Sequence, residues 1–163
     1  MMKISFKGDY AIKTLVYLSI IYMESGDKER YVRLSEITAS QDIPESFLEQ
    51  IMLVLKNAGY VKTHRGKNGG YALGRNPNSI RLGEIIRLID GTTAPIGCVS
   101  CTAYKYCDFE KKCALKPVWE EVRNAVNSIV DNITIKSLVV KQAELERETK
   151  GELSLAYKGG FYI

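Results

Sequence analysis

The segment from Leu34 to Leu73 leaves this chain the fewest ways to fold. Leu34-Ser-Glu-Ile-Thr-Ala39 is a short run with helical spacing, and Gln41-Asp42-Ile43 is a turn. Pro44 suits the first turn of a following helix, where a missing N–H costs nothing. In that helix Leu48, Ile51, Met52 and Leu55 recur at i, i+3, i+4 and i+7, and Gly59 can take the left-handed conformation that closes it. Tyr60 to Arg65 alternates like a strand, Gly66-Lys-Asn-Gly-Gly70 is a flexible tip, and Tyr71-Ala-Leu73 is the returning strand. Two helices on a tight turn followed by a hairpin make a winged helix-turn-helix. The expected fold is mainly α with a small β-hairpin wing.

Around this unit the pattern stays helical. Lys7 to Met23 is apolar on nearly every side, with Tyr10, Ile12, Leu15, Val16, Leu18 and Ile21 available for packing. Its most apolar part, Thr14 to Met23, is shorter than the about 20 residues a bilayer span takes, so no membrane role is expected. Ser79 to Asp90 reads as another helix ended by Gly91. Pro117 opens a long helix with two apolar rows, Val118, Val122, Ala125 and Ile129 beside Trp119, Val126 and Val130, which asks for a partner helix. Asp131-Asn132 interrupts it, and Thr134 caps a last helix that returns to the core through Leu138, Val139 and Leu145. The divisions expected are a winged helix-turn-helix DNA-binding domain over 1–91, a cysteine loop over 92–116, a dimerisation helix and returning helix over 117–150, and a tail without assigned role over 151–163. From Lys158 onward the tail reads as non-helical.

The formal net charge is only +4, but its distribution is uneven. Between Glu49 and Glu84 there is no acidic residue, while Lys56, Lys62, Arg65, Lys67, Arg75 and Arg81 all fall there. Such a local excess is the footprint of a phosphate-binding surface, and double-stranded DNA is the expected partner. A second helix of this type enters the major groove by its N-terminal residues, so Ser46, Phe47, Glu49 and Gln50 are candidates for base readout, with Glu45 beside them. Arg65 and Lys67 flank Gly66 on the wing, where an arginine can reach a narrow minor groove.

All four cysteines, Cys98, Cys101, Cys107 and Cys113, lie in one short Lys-rich stretch. The N-terminus carries no signal-peptide core, which points to a reducing cytoplasm, where clustered thiols more often bind metal than pair as disulfides. Only Cys98 and Cys101 have the tight spacing of a zinc knuckle, and the wider, even gaps suit an iron-sulfur cluster; zinc stays open on spacing alone. His64, the only histidine, sits in the basic hairpin far from the thiols and reads as a phosphate contact or a plain surface residue.

These motifs together resemble the IscR/NsrR/CymR family of bacterial winged-helix regulators over Met2 to about Glu146. The matching segments are Lys7-Gly8-Asp9-Tyr10-Ala11, Ser46 to Ile51, Arg65 to Tyr71, the cysteines at 101, 107 and 113, and Asn132-Ile133-Thr134-Ile135. The resemblance implies a homodimer on partly palindromic promoter DNA, joined by the long helix after the cysteines. In the IscR and NsrR branches it implies an iron-sulfur cluster on Cys101, Cys107 and Cys113, with [2Fe-2S] favoured over [4Fe-4S]. The fourth ligand is where the pattern departs. IscR-like proteins place a histidine where this chain has Lys116, which cannot ligate while protonated. An aspartate of the partner subunit serves in NsrR-like proteins, and Asp9 stands at that place; Cys98 is the third option. A zinc-binding or thiol-responsive regulator of the same fold, and an electron-transfer or cluster-carrier protein, are the rival readings. No nucleophile-base pair or phosphate-cradling motif is present, so neither an enzyme nor a small-molecule substrate is expected.

Overall fold

The computed structural model describes residues 4–26, 28–66 and 69–158, the last nine of them by backbone alone. Helix α1 (Phe6–Glu24) runs through the centre. Its N-cap Ser5 accepts from the Gly8 N–H at 3.0 Å. Ala11, Leu15, Val16 and Leu18 are buried, and Tyr10, Ile12 and Ile21 pack on the same core. A surface apolar on nearly every side must be largely enclosed, and α1 packs against α2 (Leu34–Gln41), α3 (Glu45–Asn57), α4 (Leu82–Asp90) and α6 (Ile135–Lys158), leaving Phe6, Lys13, Met23 and Glu24 exposed.

Helix α2 ends on Asp42, which takes a left-handed φ of 50° and turns the chain into α3. Pro44 lies one position before α3 and not in its first turn, because its ψ of 133° is extended. Its carbonyl accepts the Phe47 and Leu48 N–H groups at 3.0 and 3.1 Å. The expected inner face of α3 is buried: Leu48, Ile51, Met52 and Leu55 are each 1% exposed or less. Gly59, at φ 75°, follows it. Strands β1 (Val61–His64) and β2 (Gly70–Leu73) pair antiparallel, Val61 opposite Leu73 and His64 opposite Gly70. Val32 adds a bridge to Tyr71, its N–H and carbonyl both engaged, at 2.9 and 2.8 Å.

The helix expected from Ser79 begins at Leu82. Residues 77–79 form a 3-10 turn, and Ile80 and Arg81 are extended because they pair with the far end of the chain. The Leu82 N–H donates to the Ile133 carbonyl and the Ile135 N–H to the Ile80 carbonyl, each at 2.9 Å. Gly83 is the closest approach here. A Cβ on it would lie 2.0 Å from Asp131 Oδ1 and 2.9 Å from Val130 Cγ2.

Gly91, at φ 89°, opens the irregular cysteine loop, which contains two 3-10 turns at 97–99 and 110–112. Helix α5 (Leu115–Val130) starts two residues ahead of Pro117, which its first turn tolerates. No α5 residue is fully buried, and Leu115, Val118, Val122 and Ile129 are exposed. Thr134 caps α6 as expected: its Oγ1 accepts the Ser137 N–H, and the Ser137 hydroxyl meets the Thr134 N–H, both at 3.1 Å. Ile135 and Val139 return to the core. The helix continues to Lys158, through most of the stretch expected as a tail; 159–163 lie outside the described residues.

Replacing Gly83 by Ala is expected to lower stability by about 1–3 kcal/mol, since the backbone of α4 must move off α5. Urea denaturation of Gly83→Ala beside the parent chain measures it.

Candidate nucleic-acid interface and cysteine loop

The same periodicity that buries one side of α3 turns Ser46, Phe47, Glu49 and Gln50 outward, and all four are exposed. Two are anchored to α1. The Phe47 ring meets Tyr10 edge to face at 6.3 Å, and Gln50 Oε1 accepts from Lys7 Nζ at 3.4 Å. Leu53, one turn further on, is 59% exposed on this side; the apolar repeat gave it no role, and its place outside that repeat was the available signal.

The hairpin tip places Arg65 in solvent next to Gly66, whose φ is 111°. Lys67, the other wing candidate, lies outside the described residues. The tip glycines also have an internal cause. A Cβ on Gly69 would sit 2.5 Å from the His64 carbonyl oxygen, and one on Gly70 2.4 Å from that of Val32. His64 is exposed, its ring 5.4 Å from Tyr31 and remote in sequence from the thiols.

Several charges of the acid-free stretch serve the fold. Lys62 is paired with Glu29, and that hydrogen bond raises the lysine pKa and lowers the glutamate's. The Arg75 guanidinium stacks on Tyr60 at 4.2 Å and donates to the Ala58 carbonyl at 2.6 Å, closing the C-terminus of α3. Arg81 donates to the Asp131 carbonyl at 2.5 Å. The uncommitted positive charge is narrower than the sequence count suggests.

In the loop after α4, Cys101 is exposed and Cys98, Cys107 and Cys113 are half-buried, all four as free thiols. Soft thiolates are the right donors for an iron-sulfur centre. This conformation does not assemble them: among the described residues no three His, Cys, Asp or Glu side chains converge as a metal site. Lys116, where the resemblance to IscR-like proteins would place a histidine, is tied to Glu110 at 2.5 Å, with Glu120 at 3.9 Å, and the bond to Glu110 raises its pKa. It stays an ammonium and offers no lone pair. Asp9 pairs with Lys13 at 2.7 Å on the first turns of α1.

The family described as Rrf2, iron-dependent transcriptional regulator, matches residues 4–141. The chain belongs to the Rrf2 family. An rrf2-like helix-turn-helix regulator of Rhodobacter capsulatus is 34% identical over 139 residues, 83% of this chain and 91% of its own. Among solved structures, CymR, the global cysteine regulator of B. subtilis, has a TM-score of 0.71 at 31% identity, covering 86% of this chain and 98% of its own. The T. potens IscR has a TM-score of 0.66 at 32% identity, covering 87% and 88%. This Rrf2 protein is a winged-helix transcriptional regulator of DNA-binding type and not an enzyme. No helix among the described residues is long and apolar enough to cross a membrane.

Glu110 joins two partners in the loop of this Rrf2 protein, because the Tyr104 hydroxyl donates to its other oxygen at 2.5 Å. That bond pushes Tyr104 up to about 12, while Lys116 and then Tyr104 draw the Glu110 carboxyl below its ordinary value. A depressed carboxyl keeps these bonds above the ordinary glutamate pKa and loses them as pH falls through the lowered one. Glu110→Gln is expected to return Tyr104 toward the ordinary tyrosine range. Tyrosinate absorbance titration, with Tyr104→Phe marking the signal, reads the change.

Proposed function

We propose that this Rrf2 protein is a homodimeric, iron-sulfur-responsive regulator of partly palindromic promoter DNA, acting in the cytoplasm. The observation that carries the DNA part is the single outward face made by Ser46, Phe47, Glu49 and Gln50 at the start of α3, with Arg65 on the adjoining wing. Gln suits adenine and Glu suits cytosine in the major groove, whereas Arg65 suits the minor groove. Lys67 completes the proposed contact set. Helix α5 is the proposed dimer element, because Val118, Val122 and Ile129 form an exposed apolar stripe that a second copy of the same stripe covers by twofold symmetry.

The cluster would be held by Cys101, Cys107 and Cys113, with [2Fe-2S] favoured over [4Fe-4S] and a fourth ligand from Asp9 of the partner subunit or from Cys98. When bound, it would supply a redox-active and destructible crosslink within the loop. The chain's own part is to carry that loop between α4 and α5, so that its conformation bears on both. A state that binds one arrangement tenfold better shifts the population by about 1.4 kcal/mol. A second reading, regulation by thiol chemistry or a partner protein, draws support from the exposed Cys101 thiol and from the likeness to CymR.

Two measurements test these assignments. Arg65→Ala is expected to weaken specific operator binding by about 1–3 kcal/mol, with little change at unrelated DNA. Unchanged operator affinity would remove Arg65 from the interface. Oxygen-free purification followed by iron, sulfide and zinc analysis should find iron and sulfide together, and both should be lost in Cys107→Ser. Iron-free protein whose operator affinity changes on thiol oxidation would favour the second reading.

A further inference from the structure

A cavity of about 150 Å³ lies where the end of α4, the start of the cysteine loop and the C-terminal half of α5 meet. Its walls include Arg87, Thr93, Cys101, Arg123, Asn127 and Asp131. Arg87 is neutralised, since its guanidinium grips the Asp131 carboxylate at 2.5 and 3.4 Å. Arg123 is different. It donates only to neutral oxygens, the Val99 carbonyl at 2.6 Å and the Asn124 amide at 2.9 and 3.1 Å, and among the described residues no carboxylate pairs with it. The Asn127 carbonyl accepts from the Thr93 hydroxyl at 2.6 Å, so its NH2 group remains as a further donor.

The cavity therefore holds two cations, one anion and spare donors, a net positive charge in a half-enclosed space. Partial burial strengthens the attraction of such a site for an anion. Its position protects it from the proposed dimer contact. Arg123, Asn127 and Asp131 recur every four residues on the side of α5 opposite Val118, Val122 and Ile129. A stripe-to-stripe dimer leaves the cavity open.

We infer that this cavity binds a small oxyanion, held by Arg123 and the Asn127 amide, with Cys101 at its rim. A volume of this size accommodates about six non-hydrogen atoms, which fits sulfate, phosphate or a short carboxylate and excludes a nucleotide. The bound anion joins the cysteine loop to α5 through Arg123, which already holds the Val99 carbonyl. Cys101 lines this cavity and is also a proposed cluster ligand, so the site is tested on the metal-free chain.

The test uses the full reduced, metal-free chain without DNA, heated with sodium sulfate, phosphate or acetate against sodium chloride at equal ionic strength. A saturable rise in Tm of about 3–6 °C at ten times Kd is expected for at least one of them, and which one responds identifies the oxyanion class. Arg65→Gln, which removes a cation at the wing, should keep this response, and Arg123→Gln should lose it. As a readout on the unaltered chain, the same anion should slow iodoacetamide alkylation of Cys101 several-fold relative to Cys113. A rise that grows linearly with salt and is equal in both variants is general exclusion from the surface and overturns the site. So does a saturable response lost in Arg65→Gln but kept in Arg123→Gln, or an unchanged Cys101 rate.

Discussion

The enclosure of α1 is the constraint on which the rest of this structure depends. A helix with Ala11 and Leu15 fully buried, and with Tyr10, Ile12 and Ile21 also packed inward, gives water little beyond its two ends and Lys13. Helix α3, the α4 helix that leads to the thiols and the returning α6 all reach it, together with β2 of the wing. Hydrophobic burial alone is non-directional, and polar ties at the N-terminus of α1 add direction to the packing of α4 and α3.

One such tie lies at its N-terminus. The Asp90 carboxylate, the last residue of α4, accepts the Ser5 hydroxyl at 2.5 Å and the Ser5 N–H at 3.1 Å. It also fills the space where a Cβ on Gly8 would lie, 2.4 Å from its Oδ2. One turn on, Lys7 and Tyr10 touch Gln50 and Phe47 of α3. The opening turns of α1 thus sit between the residue that precedes the cysteine loop and the outward face of α3, so both meet the same helix.

Much of this was legible because it is local. The i, i+3, i+4 spacing of Leu48, Ile51, Met52 and Leu55 defined both the buried side of α3 and its exposed one, and Gly59 with Gly66 to Gly70 marked the hairpin. Thr134 was legible as a cap because its bond to Ser137 spans three residues. What escaped was non-local. The Val32 bridge to Tyr71 explains Gly70, yet nothing around Val32 has strand periodicity. The late start of α4 follows from backbone pairing with residues 133–135, and local pattern carries no record of a partner so distant. Charge counting failed similarly for Lys62, Arg75 and Arg81, since a sequence shows how many cations there are but not which already have an acceptor. The thiols were legible as a group in sequence, whereas among the described residues no three potential ligands converge in this conformation.

The exchange of hydrogen bonds between Ile80–Leu82 and Ile133–Ile135 pinches the chain shut across a sequence separation of 50, counted from Arg81 to Asp131. Inside that neck α4 stays in the body, with Ile85 buried in the core beside α1 and Asp90 tied to Ser5, whereas the cysteine loop and α5, a helix with no buried residue, extend from it. Such an excursion is a cassette. The loop can differ in length or conformation while Asp90 and the neck hold α4 against α1.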